Sequence, residues 1–465
     1  MNNKQQLTLK IFFYIILSFF MLNALYFANE VHSTIIRADQ WRFIELYLYP
    51  IENHTFNLSL LWSDHHPNPV TAILFICSAK CFDLTLNLYF IVGIVSKILF
   101  ISYFVYLVDK SIKHKVMLFR YLGIVVIVSA FLSLKSINEY AWPLVTLSNI
   151  WLLSYLVFLV YFHNAFMKVN KIKIIEYVKV VVVLSIFLIF SKDLSLIFIG
   201  AFSLAVVLIF LYEKKYKHLA FILISLFISY MVYKIFYFFI TNNIANSARL
   251  LIDFNNVSIV GVLESFAVSL LSGLFNIGFL KSLAINNTKI VSLGYIVLFL
   301  YLTIMFIYIK NKLYQVSIIP FVLMLFTLFF TLAVILFRYP PVNGEVNFMI
   351  TAPRYTKLYE VGIIAMFWIF IIIIDEKTTN EISKWSLMLL LISIFLYNLY
   401  SIKTSWQLSR YIVSTNKKLE QQLSMYIKNR KISNIISGSS FSEDKVKYLK
   451  KKGYSVFSKD YHDFK

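Results

Sequence analysis

Apolar residues run from Ile11 to Asn29 with no charge among them, and the pattern returns along the chain. Further runs cover roughly 88–108, 120–135, 144–163, 177–190, 195–212, 219–240, 289–309, 316–337, 358–374 and 386–402. Most approach the roughly 20 residues that carry a helix across a bilayer. None shows the strict alternation of a transmembrane barrel strand. The pattern predicts an all-α polytopic membrane protein with about eleven spanning helices. Ser191, Lys192 and Asp193 interrupt two of the runs, which read as two helices or as one long kinked element. The stretch VGVLESFAVSLLSGLF is amphipathic and predicts a helix lying at the membrane surface.

The polar stretches between the runs fall into two sets. Stretches 109–119, 164–176, 213–218, 310–315 and 375–385 are short and rich in lysine, including Lys110, Lys168, Lys217 and Lys312. The alternate stretches are longer and carry fewer basic residues for their length. Lysine-rich loops are retained in the cytoplasm, so the chain is expected to start inside. Loops 30–87, 241–288 and 338–357 are then outside, facing the periplasm or exterior. The N-terminus resembles a signal sequence but has no A-x-A cleavage site, which favours an uncleaved first helix. An odd helix count sends the tail, 403–465, outside as well. This divides the chain into a membrane domain, 1–402, and an extramembrane tail. The tail reads as a helix near 404–429, a serine-rich link and a short helix ending YLKKKGYSVF, too small for a core of its own.

Composition narrows the class further. Hydrophobic residues make up 60% of the 465 and charged residues only 14%, against about 25% in soluble domains. The net charge of +21 fits lysine loops against anionic lipid better than a nucleic-acid partner. The two cysteines, Cys77 and Cys81, lie four apart and read as small buried side chains rather than as a disulfide or metal site.

Phosphate-loop, dinucleotide-binding, zinc-protease and nucleophile-elbow motifs are all lacking, and no cytoplasmic loop is long enough to fold a nucleotide-sugar domain. Chemistry collects in the outer loops instead. RADQWRF sets Asp39 beside Trp41, between Arg37 and Arg42. A carboxylate kept ionised by arginines can take a proton from a hydroxyl, although an ion-paired helix end with an interfacial tryptophan has the same residues. WSDHHPNP offers Asp64, His65 and His66 for a phosphate or sugar contact or for a divalent metal, with a structural turn as the alternative. APRYTK brings Arg354, Tyr355 and Lys357 to the membrane boundary, with Arg338 at the other end of the same loop. Arginine grips phosphate through a planar fork and lysine as a point charge, while a basic and aromatic interfacial anchor is the plainer reading. Lys97 and Lys234 fall inside apolar runs, and Glu139, Lys192 and Asp193 lie in short outer loops.

Taken in order, ADQWRF after the first helix, SDHHPNP leading into a helix, APRYTK in a late outer loop and a small terminal helix resemble the GT-C class of membrane glycosyltransferases. In size the chain is similar to the bacterial enzymes that glucosylate O-antigen. The resemblance implies a GT-C-like fold in a bacterial cytoplasmic (inner) membrane. It also implies a polyprenyl-phosphate-sugar donor and a glycan acceptor, itself lipid-linked, with sugar transfer by inversion on the outer face and no cofactor or metal. Asp39 would be the general base, with Trp41 and Arg42 positioning it. Arg354, Lys357 and Arg338 would hold the donor phosphate, Tyr355 would shape the sugar pocket, and Asp64, His65 and His66 would contact substrate. Members often carry a second acid beside the first, where this chain has Gln40. Two other classes fit a polytopic chain of this kind: an O-antigen or capsule polymerase, and a flippase or transporter in which Lys97 would matter more than Asp39.

Overall fold

The computed structural model describes residues 3–33, 35–36, 40–62, 68–112, 117–169, 172–241, 257–341, 346–377, 381–429 and 441–458. Their regular secondary structure is helical, with no β-strand among the described residues. The longer elements are α1 (Asn3–Val31), α2 (Pro69–Cys81), α3 (Asn87–Ser111) and α4 (Met117–Phe131). The five-residue α5 (Ile137–Ala141) precedes α6 (Ser148–Phe162), α7 (Ile174–Phe190), α8 (Lys192–Tyr212) and α9 (Tyr216–Thr241). Then come α10 (Ile259–Leu274), α11 (Asn287–Lys310), α12 (Ile319–Phe337), α13 (Pro353–Lys377), α14 (Glu381–Asn429) and α15 (Glu443–Lys452).

A helix stands at each of the eleven predicted runs. Among the described residues, nine helices are long and apolar enough to cross a membrane. The other two, α4 and α7, have 15 and 17 residues. The interruption at Ser191 separates two helices. Its backbone leaves the helical region (φ −152°, ψ 67°), and the Ser195 hydroxyl caps the end of α7 by donating to the Phe187 carbonyl at 2.9 Å. Aromatic rings fill the space around this joint. Tyr155 stacks on Phe198 at 4.1 Å, and Phe158 meets Phe187, Phe198 and Phe202 edge-on. Such pairs add directional packing where lipid removes the hydrophobic drive between helices.

The amphipathic stretch forms a helix, with much of its length packed inside the protein. As α10 it is wedged against α11 and α13, with Ser265, Ala267, Ser269, Ser272 and Gly273 buried. Small side chains allow the close approach: a Cβ on Gly294 of α11 would sit 2.7 Å from the Ala267 backbone, and one on Gly273 would sit 2.9 Å from the Tyr359 carbonyl carbon. Serine and glycine score as a polar face on a helical wheel, yet in membrane helices they form the packing face. Of the cysteines, Cys81 is exposed and Cys77 half-buried, both unpaired, rather than the two buried side chains expected.

The tail has no core of its own and shares one. α14 is a single helix of 49 residues, about 74 Å at 1.5 Å per residue, more than twice the hydrocarbon thickness. It rises alongside α1: Trp406 donates to Asn23 at 2.9 Å and Asn416 to the Val31 carbonyl at 3.1 Å. Both contact positions increase together, so the two helices run in the same direction. Beyond the membrane body, Leu419, Leu423, Val446 and Leu449 pack with Trp41, Phe43, Phe75 and Leu147 in a second core. Ion pairs close its edge, Lys445 to Glu45 and Lys452 to Glu52, each at 2.8 Å. The molecule thus has a loop-rich end, which carries this second core, and a lysine-rich end.

Candidate functional site

At the loop-rich end, α13 begins at Pro353, and its first turns carry three of the predicted residues. Arg354 donates from Nη2 to the Tyr339 hydroxyl at 2.7 Å and lies over the Tyr355 ring at 4.9 Å. Arg338 donates to the Tyr355 hydroxyl at 3.4 Å, and the Tyr339 and Tyr355 rings meet edge-on at 6.0 Å. Two guanidinium groups and two phenols therefore interleave. Burial alone would raise the Tyr339 hydroxyl, but the Tyr355 hydrogen bond and the Arg354 and Arg338 charges outweigh it and hold the group below its ordinary value. Among the described residues, Arg354 meets tyrosines rather than a carboxylate, and its Nε is buried without a hydrogen-bond partner. A guanidinium in this setting still has capacity to bind an anion.

Beside this cluster lies a cavity of about 550 Å³, lined in part by Lys135, Lys281, Asn347, Thr351 and Thr356. Lys281 sits over the Phe348 ring at 4.2 Å. Lys135 is buried, donating to the Gly273 and Leu274 carbonyls at 3.0 and 3.1 Å and standing 3.5 Å from Glu360.

Lys357 has another partner. Its ammonium is 2.8 Å from Glu139 and 3.0 Å from the Ser148 hydroxyl, with its side chain 1% exposed. Although it stands only one helical turn beyond Arg354, Lys357 is committed to this ion pair rather than to the loop. The other oxygen of Glu139 meets Lys97 at 2.7 Å, and Lys97 also donates to Tyr140 at 2.6 Å. Asn149 donates to Glu139 at 3.0 Å. In this buried group the lysines 97, 135 and 357 outnumber the glutamates 139 and 360 by one. Burial would raise the Glu139 carboxyl, but Lys357 and Lys97 prevail and hold it at about 2. Lys97 and Glu139 stand apart in the sequence. Forty-two residues separate the pair, and only the fold brings them together.

Trp41 is likewise a core residue. It is fully buried, with Phe441 of the tail edge-on at 5.2 Å. Arg42 on the same short helix, Gln40–Phe43, is half-buried. Asp39, Asp64, His65 and His66 lie outside the described residues. Their described neighbours are well held: Ile36 and Gln40 are buried, Trp62 donates to the Ile189 carbonyl at 2.8 Å, and Asn68 caps α2 through Thr71 at 3.2 Å. The segment after α1 and the start of α13 are tied to one short stretch. Ser33 donates its N–H to the Ala141 carbonyl at 3.2 Å, and Ser136 donates its hydroxyl to the Pro353 carbonyl at 2.6 Å.

Compared with family models, with curated proteins and with solved structures, the chain matches none. The function must be argued from the residues themselves.

Proposed function

We propose that this chain transfers a sugar from a polyprenyl-phosphate-linked donor to a glycan acceptor on the outer face of a bacterial cytoplasmic membrane. The observation that carries the reading is Arg354, a half-buried guanidinium with an unpartnered Nε at a membrane-spanning helix's start, beside a cavity with two lysines. A lipid-linked donor keeps its chain in the bilayer and offers its phosphate at the boundary, where this cluster would meet it. Asp39 takes the proton from the acceptor hydroxyl. The oxygen attacks the anomeric carbon from the face opposite the phosphate, the carbon–phosphate-oxygen bond breaks, and polyprenyl phosphate leaves with inverted configuration at the sugar. Arg354 and Arg338 offset the charge that grows on the leaving phosphate. Tyr339 and Tyr355 hold the two guanidinium planes in place. Asp64, His65, His66 and Arg42 are kept as candidate substrate contacts. Lys357 and Trp41 act from behind, in the ion pair and in the second core.

A transporter of lipid-linked glycans is the second reading, favoured by the five buried charges around Glu139, since intramembrane ionisable groups mark transport paths. The purified protein, given polyprenyl-phosphate glucose and a lipid-linked glycan, tests both. Sugar transfer abolished by Asp39→Asn and strongly reduced by Arg354→Ala is the expected result. Undiminished transfer by Asp39→Asn removes Asp39 as the base. Elongation by whole repeat units, without monosaccharide transfer, makes the chain a polymerase. Movement of the lipid-linked glycan across vesicles with no transfer at all favours the transporter.

A further inference from the structure

The lysine-rich end holds a second cavity, of about 470 Å³, that takes no part in the reading above. Trp368 of α13 lines it, twelve residues beyond Thr356 of the first cavity, so the two are separated by about 18 Å along one helix. Lys110, Lys168 and Lys312 stand on its walls, contributed by the end of α3, by the turn after α6 and by the turn after α11. Lys312 shares Glu213 at 3.8 Å. Lys168 is bonded to Asn164 at 3.1 Å, and Lys110 lies over the Tyr106 ring at 5.8 Å, so neither has a carboxylate among the described residues. Asp109, next to Lys110, is taken by Arg120.

His163 also lines the cavity. Its side chain is nine-tenths or more buried, at 5% exposure, and neither ring nitrogen has a hydrogen-bond partner among the described residues. The Val316 backbone lies near the ring without completing a bond to it. A buried imidazole with both nitrogens idle is costly unless a ligand or water supplies the partner. His163 opens a π-helical turn, His163–Met167, that continues α6. Such turns recur at functional sites. The 19-residue α12 starts at the same cavity, with Ser317 and Ile319 on its wall, and adds the positive end of its dipole.

We propose that this cavity binds a phosphate group, with Lys110, Lys168 and Lys312 neutralising its charge and His163 donating a hydrogen bond to one oxygen. Its position at the end of three membrane-spanning helices makes a phosphate-bearing lipid head group one source and free phosphate the other.

The test uses the full-length protein in mixed micelles of phosphatidic acid and phosphatidylcholine, with retained lipid read by native mass spectrometry. Phosphatidic acid should be retained preferentially, and Lys168→Gln should weaken retention about fivefold, the worth of one lysine near a lipid phosphate. Lys168 is exposed, so this change spares the fold. Lys110→Gln should weaken retention similarly, and His163→Leu should do so if the protein remains folded. Lys217→Gln, an exposed lysine outside the cavity, should change nothing. Displacement of the lipid by inorganic phosphate would mean that the site accepts phosphate from either source. Resistance to it, with the lysine dependence intact, would mean that the site needs the lipid chains too. Equal retention of the two lipids, or retention indifferent to Lys110 and Lys168, overturns the proposal.

Discussion

At the residue scale, two side chains carry the most testable content. Arg354 is held by a phenol and by a ring, contacts that a lysine could not reproduce because it lacks the planar fork. Arg354→Lys should therefore keep the charge yet lower the rate of sugar transfer by about 10²–10³, the cost of losing one preorganised donor to a developing anion. A rate within twofold of the parent would show that charge alone suffices there. Glu139 makes a different prediction. Lys97 and Lys357 both depend on it, and removing one member of a buried ion group costs about 3–5 kcal/mol. Glu139→Gln should lower the thermal midpoint of the solubilised protein more than Asp39→Asn does. The sign of its pH effect follows from the lysines holding the carboxyl at about 2, below its ordinary 4.5. A depressed folded value contributes stability above the unfolded one and loses it as pH falls through the folded one. The midpoint should therefore drop between about pH 4.5 and 2, and less steeply in Glu139→Gln. Identical slopes in the two proteins would assign the acid sensitivity to other carboxyls.

At the element scale, α10 marks where the sequence was readable and where packing stayed hidden. The long apolar runs were legible because about 20 uncharged residues in a row have few other solutions. The burial of α10 was not, because Ser265, Ser269, Ser272 and Gly273, which hydropathy scores as half-polar, are buried along with its apolar residues. Packing by small residues depends on what lies opposite, here Gly294 and the Tyr359 backbone, and neither is near in sequence. Distance in sequence also hid the Glu139 group: its partners Lys97 and Lys357 come from α3 and α13, more than two hundred residues apart. Arg354, Tyr355 and Arg338 could be found because the ends of one loop place them together. Their tyrosine partner Tyr339 was passed over although it adjoins Arg338. Gly273→Leu tests the packing of α10. The Cβ alone would stand 2.9 Å from backbone that cannot yield, so overpacking should cost at least about 1–3 kcal/mol. The protein should extract poorly in mild detergent and aggregate at lower temperature, whereas Gly278→Ala, whose nearest neighbour is a side-chain oxygen at 3.1 Å, should behave as the parent. Normal extraction of Gly273→Leu would mean that α10 can move away from α13.

At the scale of the whole molecule, the tail decides which loops share one side. Lysine content alone leaves the tail ambiguous, because Lys417, Lys418, Lys428 and Lys450 would suit the cytoplasm, while long tails escape the charge rule. Packing removes the ambiguity about relative placement. α14 climbs beside α1 in the same direction, and its far end joins the chain that follows α1 in one core, fastened where Ser458 donates to Asp83 at 2.8 Å and Tyr448 to Glu52 at 2.7 Å. The tail and the loop after α1 must therefore lie on one side, and the lysine-rich turns on the other. With Cys77 and Cys81 replaced by serine, single cysteines at Asn53 and Lys450 should react from the same face with a reagent that cannot cross the membrane, and one at Lys217 from the opposite face. All three are exposed, so reactivity reports side rather than burial. Leu423→Glu adds the energetic half of the test. Leu423 is fully buried in the shared core, and a carboxylate there would release the tail for trypsin while leaving the membrane body intact. Labelling of Asn53 and Lys450 from opposite faces would break the shared core outright. It would also withdraw the outer placement of Arg354, since α13 begins against the stretch that ties down the segment after α1.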